Sequence, residues 1–154
     1  MTLSQAILAA MLATLPKANP ADLESISVAI EAAHGEFDPW MLAALVVRES
    51  GGNLDALGDL GECGPTQVMG WYLTPSKSCA ELRDPLTAIQ SSVQMLRFWA
   101  DKRPDRDPWQ CYASGNRCRA ERSKRKLVRI RAELMAIGVD SYVHDVYIDL
   151  VRGP

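Results

Sequence analysis

A chain of 154 residues that is 47% hydrophobic is long enough to bury its own core and too apolar to be mainly a disordered tail. No run approaches the roughly 18 apolar residues a membrane span requires, and "AILAAMLATL" at 6–15, with no basic side chain before it, reads as a packing helix, an atypical export signal being the alternative. The net charge of −2 divides into −6 over residues 1–116, +7 over 117–131 and −3 over 132–154, so any affinity for a polyanion belongs to one short segment.

In chain order, the apolar spacing predicts helices at 3–15, 20–34, 39–50, 85–101, 108–114, 118–137 and 141–152. Asn19-Pro20, Asp38-Pro39, Asp84-Pro85 and Asp107-Pro108 each place a side-chain acceptor at the N-cap and a proline at the first helical position. Gly35, Gly51, Gly138 and Gly153 stand where helices end. Residues 53–80 carry Gly58, Gly61, Gly64, Gly70, Pro65 and Pro75, and read as a long structured loop or a small β-hairpin. The expected fold is therefore mainly α, one compact helical domain over 1–154, with a glycine-rich loop or hairpin after the third helix.

Four cysteines, Cys63, Cys79, Cys111 and Cys118, include no CxxC pair, and only His34 and His144 are present to complete a metal site, so neither metal nor cofactor is expected. Three disulfide pairings are possible. The local one, Cys63 with Cys79 and Cys111 with Cys118, would clip two glycine-bearing loops and imply an oxidising compartment; four partly buried thiols are the alternative.

The stretch "DPWMLAALVVRESGG" at 38–52 raises a chemical question. Its helix is apolar on all sides, which predicts a central position, yet it closes on Glu49. The carbonyl end of a helix disfavours a carboxylate, and apolar surroundings disfavour its ionised form. Both push the Glu49 pKa upward, toward what a general acid needs near neutral pH. Arg48 would oppose this if it faced the carboxylate, but at 100° per residue it is expected to point elsewhere. The plain alternative is a solvated last-turn residue.

Three motifs then occur in order: "ESGGNLDA" at 49–56, "GECGPTQV" at 61–68 and "CYASG" at 111–115. Together, over about residues 37–116, they resemble the lysozyme-like lytic transglycosylases, with an α+β lysozyme-like fold. The resemblance implies cleavage of peptidoglycan glycan strands between N-acetylmuramic acid and N-acetylglucosamine. Glu49 would act as the single catalytic acid and then as base toward the C6 hydroxyl, closing a 1,6-anhydro ring. Ser50 would brace the loop. Gln67 would line the sugar groove, and the Tyr112 phenol would be aimed at Glu49. Ala113 departs from the family's asparagine, with Asn116 the nearest replacement, and Thr66 stands where a methionine is common. Trp71, Tyr72, Trp109 and Tyr112 offer flat rings for sugar faces, though at least two of the four are expected in the core.

Other readings stay open. A hydrolysing muramidase would need a second carboxylate, for which Asp55, Asp59 and Glu62 are the candidates. A non-catalytic glycan- or protein-binding adaptor is a second alternative. Nucleic-acid binding through 117–131 would rest on charge alone and is not expected, because the bacterial wall is itself anionic; a solvated helix face is the bland account of that segment. The expected setting is a monomer acting on the wall in the periplasm or outside the cell, as a phage lysin, a virion-associated enzyme or a part of a secretion or conjugation system.

Overall fold

The computed structural model describes residues 1–152, apart from the side chains of Asn116 and of residues 142–152; the helix-ending role assigned to Gly153 lies outside the described residues. Among these residues it has seven α-helices: α1 (Leu3–Thr14), α2 (Pro20–Ala33), α3 (Pro39–Glu49), α4 (Cys79–Leu82), α5 (Pro85–Lys102), α6 (Pro108–Ser114) and α7 (Glu121–Arg152). All four expected caps form. Asn19, Asp38 and Asp107 each accept from the backbone N–H two residues on, and Asp84 accepts from Thr87 N–H. Each satisfies a donor that would otherwise be orphaned at a helix start.

Helix α3 is central because Met41 to Val46 are all buried. It packs against α7, α2 and α1, and α2 in turn lies on α5. The main core joins Ile7 and Met11 of α1, Leu23, Ile26 and Ile30 of α2, Leu42 and Leu45 of α3, Ile89 and Leu96 of α5, and Leu127 and Leu134 of α7. The "AILAAMLATL" segment is thus a packing helix in this fold.

One expected boundary is absent. Helices 118–137 and 141–152 are a single helix, α7, which runs through Gly138. A Cβ at Gly138 would lie 2.4 Å from Trp40 Cη2 and 3.1 Å from the Ala6 carbonyl oxygen. This glycine permits a close helix crossing and ends nothing. Gly35 and Gly51, with φ of 59° and 61°, do sit at helix ends.

Residues 50–78 form the structured loop, and among the described residues no strand is present. Instead of a hairpin there are two isolated antiparallel bridges, Leu57 to Cys63 and Cys63 to Val68. The loop folds by other means. Cys63 is disulfide-bonded to Cys79 and buried with Val68, Leu73 and Leu82. Gly64, at φ 76°, lets the backbone pass so close to α4 that a Cβ would stand 2.1 Å from the Leu82 carbonyl oxygen. A second disulfide, Cys111 to Cys118, is buried with Trp99 where α6 turns toward α7. The local pairing is therefore the one present.

Candidate active site

Glu49 occupies the last turn of α3. The helix stops there because Ser50 takes up a non-helical conformation and Gly51, left-handed, donates its N–H to the Val46 carbonyl, 3.1 Å away. The Ser50 hydroxyl accepts from Gly52 N–H at 3.1 Å and lies 2.8 Å from the Pro65 carbonyl oxygen, to which it donates. This contact joins the end of α3 to the turn that carries Gln67.

The Glu49 side chain is 24% exposed. Burial pushes its pKa above the ordinary 4.5, Arg48 and Lys126 pull the other way, and the charge of Glu62 adds to the rise. Arg48 differs from the sequence expectation: its guanidinium lies 3.4 Å from Glu49 Oε1. The reason is tertiary. Arg48 Nη2 donates to Ser123 Oγ at 3.1 Å at the start of α7, which swings the guanidinium across Glu49. Desolvation still outweighs this cation, so the carboxyl favours its neutral form more than a free one does.

Gln67 sits in the turn at φ 52°, an uncommon conformation for a residue with a Cβ. Its amide nitrogen donates to the Ala56 carbonyl at 3.1 Å and to the Gly64 carbonyl at 3.0 Å. The amide NH2 group therefore holds the loop closed. Beside it, the Thr66 hydroxyl is buried with no hydrogen-bond partner among the described residues.

Tyr112 reaches the same turn from α6. Its hydroxyl donates to the Thr66 carbonyl at 3.1 Å and lies 3.1 Å from the Ser92 hydroxyl of α5. The phenol, expected to be aimed at Glu49, is bonded to these partners instead. The ring is half-buried, its hydroxyl is desolvated, and its pKa is pushed up by burial first, with the Glu49 charge contributing. The Glu49 charge thus reaches the Tyr112 hydroxyl with no hydrogen bond between the two.

A groove of about 430 Å³ opens from Gln67 and Tyr112, continuing over Tyr72, Phe98, Trp99 and Lys102. Glu49 does not line this groove; its neighbour Ser50 is bonded to Pro65, two residues before the groove residue Gln67. Lys102 Nζ stands 5.1 Å from the centre of the Phe98 ring. Sequence reasoning missed this α5 wall, although Met95, Phe98, Trp99 and Lys102 lie at i, i+3, i+4 and i+7, one helical face. A separate cavity of about 500 Å³ lies between the α1–α2 turn and Gly51–Asn53; its titratable side chains are Lys17 and Asp22.

The remaining candidates divide clearly. Trp71 and Tyr72 are 61% and 60% exposed and stack on each other, ring centres 3.9 Å apart. Trp109 is buried edge-on to Phe37. Of the three loop acids, Asp55 is exposed and pairs with Arg83 at 3.1 Å, and Asp59 is exposed. Glu62 alone acts on Glu49, and its carboxylate accepts from Leu60 N–H at 2.9 Å. The side chain of Asn116 lies outside the described residues. Among the described residues no three of His, Cys, Asp and Glu converge to hold a metal ion, and no helix is long and apolar enough to cross a membrane.

These features define a helical, twice disulfide-bonded domain with a partly desolvated carboxyl at the end of α3 and an aromatic-lined groove that opens from Gln67 and Tyr112. No family model matches the chain, and no curated protein or solved structure is significantly similar to it.

Proposed function

We propose that the chain is a peptidoglycan lytic transglycosylase of lysozyme-like α+β type, acting as a monomer in the periplasm or outside the cell. The reading is carried by Glu49: one carboxyl, partly buried at the end of a core helix, with its pKa raised by desolvation and the Gln67 and Tyr112 turn tied beside it. A neutral carboxyl can give its proton to the bridging oxygen as the bond to muramic acid C1 breaks. The resulting carboxylate then accepts the proton of the C6 hydroxyl as its oxygen bonds to C1, forming the 1,6-anhydro ring. Proton donation of this kind contributes about 10²- to 10⁴-fold in rate. The internal hydroxyl adds the advantage of high effective molarity. Arg48, at 3.4 Å, steadies the carboxylate between the two steps. Gln67, with its NH2 group engaged in the loop, offers its amide oxygen to sugar hydroxyls. The exposed Trp71–Tyr72 stack suits the apolar face of a pyranose ring. The two disulfides fit an oxidising place of action.

Glu62 favours a second reading. Its charge acts on Glu49 as the partner carboxylate of a hydrolase would, and it would activate water to release a reducing muramic end. Mass spectrometry of muropeptides released from purified walls separates the two. Anhydromuramic ends that vanish in Glu49→Gln support the transglycosylase; reducing ends lost in both Glu49→Gln and Glu62→Gln support the hydrolase. Undiminished release by Glu49→Gln refutes both.

A further inference from the structure

Among the described side chains, the cations of α7 fall into two groups. Lys124 pairs with Asp107 and Arg131 with Asp38, so these two α7 cations bind the second carboxylate oxygens of the caps that start α6 and α3. They belong to the fold. Arg122, Arg125, Lys126 and Arg129 are all exposed and lie at i, i+3, i+4 and i+7, one face of the helix spanning about 10 Å. Arg129 has an exposed partner in Glu133 at 3.2 Å, a contact of little strength. Like charges at these spacings repel, and Arg122 stands in the first turn of the helix, where cations are disfavoured. The face is therefore a concentration of exposed positive charge that an external anion would complement.

Its position indicates which anion. Lys126 is near enough to Glu49 to lower its pKa, and Ser123 in the same segment holds Arg48 against Glu49. Lys126, inside the stripe, thus lies within electrostatic reach of the proposed catalytic carboxyl, with Arg122 and Arg125 before it and Arg129 after it along α7. On the proposed reading, a polymer cut at Glu49 continues over this face. In peptidoglycan the acidic groups nearest the scissile bond are the carboxylates of the peptides carried by the muramic sugar. Guanidinium forks match carboxylates in planar, two-point contacts.

We propose that Arg122, Arg125, Lys126 and Arg129 form a docking surface for the peptide carboxylates of the strand being cleaved, so that peptide-bearing glycan is preferred over bare glycan. This inference rests on the transglycosylase reading for its substrate, but its test does not require turnover. Binding is measured by co-sedimentation of a Glu49→Gln protein with intact sacculi and with sacculi stripped of peptides by an amidase. The fourfold variant Arg122→Gln/Arg125→Gln/Lys126→Gln/Arg129→Gln is compared with a Lys17→Gln/Arg106→Gln control, folding being checked by circular dichroism.

The expected result is a loss of affinity for intact sacculi of at least about tenfold in the fourfold variant at low salt, disappearing near 1 M, where charges are screened beyond about 3 Å. Stripped sacculi should bind the two proteins equally. Equal binding to intact sacculi at low salt overturns the proposal. So does an equal loss on stripped sacculi, which would place the recognised group elsewhere, or competition by duplex DNA that ignores peptide content. If peptide-dependent binding holds while Glu49→Gln still releases muropeptides, the docking surface stands and the catalytic reading falls.

Discussion

Removing one oxygen atom, by Tyr112→Phe, distinguishes a structural phenol from a catalytic one. The hydroxyl donates to the carbonyl of Thr66, a residue with no exposed surface, and contacts Ser92, also buried. Ser92 keeps a second partner in the Ala88 carbonyl at 3.0 Å. The Thr66 carbonyl is then left as the unsatisfied group, at a cost of about 1–3 kcal/mol for a buried acceptor. The Thr66 hydroxyl beside it already lacks a partner among the described residues, so the turn has little polar slack. For a domain of this size, about 2 kcal/mol lowers the melting temperature by about 4–8 °C. Thermal and urea unfolding of Tyr112→Phe, Ser92→Ala and the double variant measure this, and the double should cost less than the sum because the residues share a network. Wall cleavage at a temperature where the variant is folded should fall only modestly. A Tyr112→Phe protein that melts within about 1 °C of wild type, while losing about 10²-fold in cleavage, would refute the reasoning; the phenol would then serve Glu49 directly.

Further predictions concern the carboxyl, the helix crossing and the loop. Because burial raises the Glu49 pKa above 4.5, the unfolded chain ionises first as pH rises. Native stability is then lost relative to Glu49→Gln from about that ordinary value up through the folded one, and the two proteins converge below it. Melting curves of both proteins across pH 3–8 test this, and a difference independent of pH would contradict it. Gly138→Ala gains about 1 kcal/mol in helix propensity but meets Trp40 at 2.4 Å, and overpacking costs about 1–3 kcal/mol. A net destabilisation is expected, partly relieved by adding Trp40→Phe; a more stable Gly138→Ala would show that the crossing has room. Replacing Cys63 and Cys79 together with serine opens a link across 16 residues, worth about 3 kcal/mol. Denaturant titration should show this loss, and limited proteolysis should cut first within 53–78. An unchanged midpoint would mean that the Cys63–Val68 bridge and Gln67 suffice to hold the loop.

The sequence alone determined what rests on neighbouring residues. Four Asn/Asp-Pro pairs announce helix starts because the capping oxygen and the orphan N–H it satisfies are two or three residues apart. The central place of α3 follows from an unbroken apolar run, and Glu49 stands out because helix polarity and burial are both legible locally. The short cap at Ser78 with Glu81, which starts α4, has the same kind of signal, but it lies among glycines and prolines that mask a helix of one turn.

Tertiary structure alone decided what depends on partners far along the chain. Gly138 resembles a helix end until Trp40 and Ala6 are brought against it. Arg48 turns toward Glu49 because Ser123, 75 residues away, binds its guanidinium. The hydroxyl of Tyr112 is claimed by Ser92 and Thr66, and the amide of Gln67 by two loop carbonyls. The type of a side chain states what it can donate or accept, but only packing settles which of several possible partners lies within 3 Å, because burying one contact excludes water and its competitors together.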